Sequence, residues 1–392
     1  MSLIEQILDE NSFVEQGGRI LDAFIRSGYG TINSRLVYIY EQTGYVTVNH
    51  AEKIQKVYDK ALVYGAPVIA VLNSSGMRLD DGLTGLNAYS KIFTNQAKAH
   101  GKVSQIAVVE GDALGACAVI AALSDFVITS EKSRIFLQSP DILKNPSKNV
   151  YTHIVAKDLS ESVKKLMSFI PSNANSLEHY SECADDLNRE SNLTEKSTVC
   201  EIIQEIADGR EFIRLLPKFG EGVETALAKL SGMTVGIVAA YDALTVLGIK
   251  KIGHIIKYCS NFRVPIIFIN DNLTYGSESD DALMLYDIAN LIGEINDAKV
   301  GKILLATKNV QGSLYAALNN KYLDIDVSYA WENACFSLFD ETGGQKITGG
   351  THSYTAHNAA ELGFVDDIID VTSTRKRLIA ALEMIFIKNV NY

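Results

Sequence analysis

The chain has 392 residues, of which 47% are apolar and 21% charged; this is the composition of a folded globular protein with room for two domains, and it excludes a disordered or collagen-like chain. Forty-seven acidic residues against 36 basic ones give a formal charge of −11. That charge repels nucleic acid and anionic lipid, and leaves only a local basic pocket for an anionic ligand. The start, Met1-Ser2-Leu3-Ile4-Glu5-Gln6, has an acid where a signal peptide needs cations. No apolar run reaches the roughly 18 residues needed to span a bilayer. The expected location is cytoplasmic.

In chain order, Val37–Tyr40 reads as a buried strand and His50–Gly65 as a helix with Ile54, Val57, Tyr58, Ala61 and Leu62 on one face. Pro67–Asn73 is a second strand and Ile106–Val109 a third, leading into Gly115-Ala116-Cys117-Ala118, where a helix should start. The acidic stretch Ser172–Asp208 reads as helix-prone, either a connector or lid or simply a solvated helical linker. The order then repeats. Val235–Val238 is a strand, Gly248–Arg263 a helix with Ile252, Ile255, Ile256, Cys259 and Phe262 on one face, and Pro265–Asp271 a strand. Ile303–Ala306 follows, and Gly312-Ser313-Leu314-Tyr315-Ala316 should start a helix.

The spacing of the two halves indicates a duplication. A step of 198 carries Lys53-Ile54 onto Lys251-Ile252 and Pro67 onto Pro265 without a gap. A step of 197 carries Ile106–Ala116 onto Ile303–Ser313, and one of 201 carries Glu131–Ile135 onto Glu332–Phe336. Continuous apolar strands alternating with helices imply crossover connections and largely parallel sheets.

Familiar catalytic machinery is absent. The five cysteines (Cys117, Cys183, Cys200, Cys259, Cys335) never pair at zinc spacing, and no metal site is expected. The seven histidines form no H-E-x-x-H, and there is no nucleophile elbow or phosphate loop. His352 and His357 read as loop histidines and Trp331 as a packing residue. What remains is a backbone feature used twice: an apolar strand, a glycine, then a helix of small residues, at Gly115-Ala116 and Gly312-Ser313. Helix starts point unpaired N–H groups at one spot, which can serve as an oxyanion hole. The alternative is that each glycine only permits tight packing.

Several ordered segments carry a resemblance. They are Leu8–Glu15, Gly30–Tyr38, His50–Ile54, Ala66–Ile69, Ser74-Ser75-Gly76-Met77-Arg78, Gly111–Ala116, Ser124–Ile128 and Phe136–Asp141, then Tyr329-Ala330-Trp331, Gly363–Ile369 and Thr374–Glu383. Together they resemble the acyl-CoA carboxylase carboxyltransferase family. The resemblance implies an α/β fold of two tandem crotonase-like (ClpP/crotonase) domains built from ββα repeats. These are placed at residues 1–229, including the connector at about 172–208, and 230–392. It implies carboxyl transfer at the α-carbon of an acyl-CoA thioester, with the carboxyl group brought by carboxybiotin on a separate carrier protein. Gly115 and Ala116 match the first oxyanion hole and Gly312 and Ser313 the second; Ser75, Gly76, Arg78 and Arg134 are the candidates for holding CoA. No A-M-K-M carrier motif is present, so biotin has to arrive on another polypeptide. A homo-oligomer, dimer to hexamer, is expected, with Gly115 of one chain near Gly312 of another.

The departures from the family pattern define the rival readings. Ser74-Ser75-Gly76-Met77-Arg78 stands for S-G-G-A-R, Asp80-Asp81-Gly82 for Q-E-G, and Leu114 for a small residue beside the first hole. Asn270–Gly276 lacks the proline of D-x-P-G-F and is similar to malonate decarboxylase subunits. One rival is therefore a biotin-independent malonyl-thioester decarboxylase subunit, possible within a membrane-bound complex. Another is a catalytically silent scaffold.

Overall fold

The computed structural model describes residues 2–18, 22, 24–77, 79–138, 151–175, 180–275, 281–339, 341–350 and 352–391. It divides into two units, Met1–Glu178 and His179–Tyr392. In the first, the sheet runs Val14–Glu15, Ile25–Ile32, Arg35–Val46, Val68–Met77, Gln105–Leu114, Phe126–Thr129, Ile154–Val155. The first three strands are antiparallel and the rest parallel. In the second unit Phe212–Leu215, Val223–Leu230 and Met233–Ala240 form the antiparallel part. Ile266–Tyr275 and Lys302–Gln311 then continue in parallel.

The duplication is visible element by element. The crossover helices Val48–Tyr64 and Val246–Phe262, 17 residues each, coincide at a step of 198 at both ends, as do the strands Val68–Met77 and Ile266–Tyr275. Each helix stops at a left-handed residue, Gly65 at φ 63° and Arg263 at φ 57°, the usual geometry of a helix C-terminus. Each opening hairpin turns on two positive-φ residues, Asn33 and Ser34 or Ser231 and Gly232, as two-residue hairpin turns demand. A buried lysine ties each helix to its hairpin: Lys53 Nζ donates to the Ile25 carbonyl at 3.2 Å, Lys251 Nζ to that of Val223 at 2.7 Å. An unsatisfied buried ammonium would be costly, so each lysine fixes its helix in register.

Two expectations are corrected. The second unit begins well before residue 230, because Phe212–Leu215 and Val223–Leu230 hydrogen-bond directly into its sheet. The acidic stretch is neither a lid nor a solvated helix. Of its described residues only Val199–Ile206 is α-helical, started by a Thr198–Glu201 capping box. Leu193, Val199, Ile202, Ile203 and Ile206 join the core of the second unit. Its acids outline an ion network: Arg189 pairs with Asp185 and Glu205, and the fully buried Arg375 with Asp185 and Asp208.

Trp331 is buried, its indole N–H donating to Thr374 Oγ1 at 2.9 Å. Cys117 and Cys259 are buried and Cys200 exposed. No helix among the described residues is long and apolar enough to cross a membrane.

Candidate active site in two halves

In the first unit the parallel register Ser74↔Ala113 sets Ser75 and Gly76 beside the end of the Gln105–Leu114 strand. The next residue, Gly115, has φ 59° and ψ −126°, the mirror image of an extended conformation and open only to glycine. Its N–H donates to the Phe136 carbonyl at 2.8 Å, anchoring the turn on the Arg134–Phe136 strand. Helix Ala116–Ala122 then starts without a side-chain cap. Among the described residues no acceptor meets the Ala116 N–H, and Ala116 is half-buried. Gly76 also has positive φ, 117°, and its N–H donates to Ser74 Oγ at 3.2 Å; that hydroxyl in turn donates to the Gly44 carbonyl at 2.7 Å.

The second unit repeats the frame. Gly312, at φ 56°, opens helix Gly312–Leu318 at the end of the Lys302–Gln311 strand, again with no side-chain cap. Its α-carbon faces the Leu338 carbonyl, which a Cβ would meet at 3.4 Å. An apolar pocket of about 290 Å³ opens at Gly312, lined by Tyr315, Phe336, Leu338, Tyr354 and Phe364 among others. Ser313 is exposed, and its hydroxyl hydrogen-bonds the phenol of Tyr275.

The sequence candidates thus fall into two groups. Ser75, Gly76, Gly115 and Ala116 are brought together in the first unit by strand register; Gly312 and Ser313 stand together at the equivalent helix start of the second. Leu114, just before Gly115, lies opposite Phe136 in the parallel pairing. Arg78 lies outside the described residues. Arg134 is engaged fork to fork by Asp112, with Nε–Oδ1 at 2.7 Å and Nη2–Oδ2 at 2.5 Å, so its charge is already matched. His357 is exposed and 3.8 Å from Glu332, but it sits in the first turn of helix Ala356–Glu361 rather than in the loop expected for it. Among the described residues no three His, Cys, Asp or Glu side chains gather as metal ligands would.

Sequence reasoning missed Tyr275. The signal was available: the step of 198 places it opposite Met77, exchanging a thioether for a phenol at the same point of the frame. It also missed the buried Asp271, held by Thr307 Oγ1 at 2.7 Å and Lys308 Nζ at 3.0 Å at the head of the Ile266–Tyr275 strand's irregular end.

Comparison with known proteins gives the frame its family. The carboxyl transferase domain model matches residues 4–348. The chain belongs to the carboxyl transferase family. This carboxyl transferase is 27% identical over 422 residues to the mitochondrial propionyl-CoA carboxylase beta chain of Mus musculus, covering 93% of this chain and 78% of that one. It is 27% identical over 462 residues to the methylmalonyl-CoA decarboxylase subunit alpha of Veillonella parvula, covering 99% and 90%. Among solved structures it superposes on the transcarboxylase 12S hexamer subunit with a TM-score of 0.88 at 24% identity, over 98% of this chain and 89% of that one. The expected fold class, two tandem crotonase-like domains, is borne out.

Proposed function

We propose that this chain transfers a carboxyl group at the α-carbon of an acyl-CoA thioester, with the carboxyl group brought by biotin on a separate polypeptide. The observation that carries the reading is the pair of equivalent positive-φ glycines, Gly115 and Gly312, each heading an uncapped helix at a parallel-strand end inside a carboxyl transferase chain. In the first half-site the Ala116 N–H donates to the thioester oxygen as negative charge develops there, and Ser75 and Gly76 line the approach of the CoA. A donor held in place before the reaction stabilises that charge without reorganising. In the second half-site the Ser313 N–H polarises the carrier's carbonyl oxygen. Carboxybiotin, when bound, supplies the carboxyl group. The ureido nitrogen that gives up its carboxyl group would take the α-proton, so no protein base is needed and the amides have only to stabilise the charge, which accounts for a site built from small residues.

The chain works as a homo-oligomer; the transcarboxylase 12S neighbour is a hexamer. A second reading, decarboxylation of a malonyl-type thioester, is favoured by the proline-free Asn270–Tyr275 segment and by the likeness to a methylmalonyl-CoA decarboxylase subunit.

The test is label transfer. Carrier protein loaded with labelled carboxybiotin is mixed with the purified chain and a series of acyl-CoAs, and label in the acyl-CoA is counted. Transfer supports the main reading, and carbon dioxide release from a malonyl thioester without biotin supports the second. Neither reaction with any thioester would sink both and leave a scaffold. Light scattering reports assembly: a fully active monomer would overturn the oligomer.

A further inference from the structure

The two half-sites share a backbone and differ in the side chains that surround it. At the positions where the second unit has Tyr275 and Ser313, the duplication places Met77 and Ala116 in the first. Ile266–Tyr275 and Lys302–Gln311 are parallel neighbours, paired up to Leu273↔Val310, and this brings the end of one strand over the helix that starts after the other. The contact is made there: the Tyr275 hydroxyl and Ser313 Oγ hydrogen-bond each other. Both residues are exposed, Tyr275 at 44%, so the pair fronts the site rather than filling the core.

Donor counting gives the consequence. Two hydroxyls carry two O–H groups; one is used between them, which leaves one donor and several lone pairs for a ligand. Beside the Ser313 N–H they form a patch that both gives and takes hydrogen bonds. The first half-site has a thioether and a methyl at those two positions and so no hydroxyl there, which suits a thioester oxygen that only accepts. A cyclic urea presents a carbonyl acceptor flanked by N–H donors, and it matches the second patch.

Resting on the function proposed above, we infer that the Tyr275–Ser313 hydroxyl pair is the specificity element of the second half-site, selecting a cyclic-urea head group over a second thioester. Both hydroxyls act together, because each orients the other.

The experiment uses the purified oligomer and free biotin as probe, with acetyl-CoA binding measured in parallel. Tyr275→Phe keeps the ring and removes one hydroxyl. It should weaken biotin binding about 3- to 10-fold, the usual worth of one neutral hydrogen bond, and leave acetyl-CoA binding unchanged. Ser313→Ala should do the same, and the double variant should lose about as much as either single one, since residues acting as a unit are not additive. Circular dichroism checks folding; should Tyr275→Phe fail it, Ser313→Ala carries the same readouts. Biotin binding equal to wild type in both variants overturns the inference. So does equal loss for biotin and acetyl-CoA, or a wild-type oligomer that acts on acyl-CoA yet does not bind biotin. Absence of any thioester reaction in the wild type is read separately, as failure of the proposed function itself.

Discussion

The first and second units share crossover helices that coincide end to end, a lysine in the same buried role, and a glycine at the same helix start. Their side chains around those landmarks diverge. Met77, Ala116, His50 and the Asp112–Arg134 pair in the first unit stand where the second has Tyr275, Ser313, Gly248 and the neutral Asn309–Cys335 pair. A duplicated frame therefore keeps its backbone landmarks, down to the glycine at each helix start, while the side chains around them are free to change. The differences also make each unit a control for the other.

The largest effect should come from deleting an amide. Ala116 is the first residue of its helix, where proline is tolerated, and Gly115 before it already has the mirror-extended backbone. Ala116→Pro removes the N–H and should lower turnover about 100- to 1000-fold, as loss of one oxyanion donor does, while Ala116→Gly stays near wild type. Ser313→Pro should cost as much if the halves are equivalent donors. A folded Ala116→Pro oligomer with normal turnover would reduce Gly115 to a packing device and break the parallel between the halves.

Acid stability should differ next. His50 is fully buried, accepts at Nδ1 from the Gln42 side-chain amide N–H at 3.3 Å, and lies 3.5 Å from Asp22. Burial pushes its pKa down to about 4, with Asp22 offsetting part of the effect. The folded state then takes up a proton less readily than the unfolded chain, whose histidine titrates near 6.5. Between about 6.5 and 4 the unfolded chain binds more protons, so this contribution falls as pH falls, by about 3 kcal/mol at most. Asp125 runs the other way, since burial raises its pKa to about 7 and the folded state holds its proton there. The clean measurement is the difference between wild type and His50→Gln in denaturant unfolding from pH 7 to 4. The variant should gain relative stability on acidification, read as hydrogen exchange in the Val48–Tyr64 helix. Parallel curves would mean that His50 does not titrate in this window.

Much of the frame was legible because core strands and helices must keep their apolar spacing through divergence. The step of 198 found helix and strand equivalents from sequence alone, and the glycines located both helix starts. The unit boundary was missed because the same step was not carried back to Ile25–Ile32, which it places on Val223–Leu230, the first strand of the second hairpin. The acidic stretch misled because Asp185, Glu205 and Asp208 read as solvated charges, whereas they surround Arg189 and the buried Arg375. The Tyr275–Ser313 contact spans 38 positions and depends on parallel register, which no local pattern reports.

The smallest expected effect concerns Arg134, the cation expected to meet a CoA phosphate. Its guanidinium is about half exposed and forms a two-point pair with Asp112, its cross-strand partner. In the second unit the same cross-strand position holds Asn309 and Cys335, so the fold at this point does not require charge. An exposed pair contributes at most about 1 kcal/mol, and Arg134→Ala should change unfolding free energy by no more than that. For a phosphate to use Arg134, it would have to displace a carboxylate already in ideal fork geometry. Arg134→Ala should therefore weaken CoA binding by less than about threefold, with little change in its salt dependence. Asp112→Asn removes the fork partner's charge, and CoA should then bind somewhat more tightly at low salt and lose that gain at high salt. If Arg134→Ala instead costs about tenfold or more at low salt only, the pair opens for the substrate, and the first half-site holds its phosphates with a charge that the second unit lacks altogether.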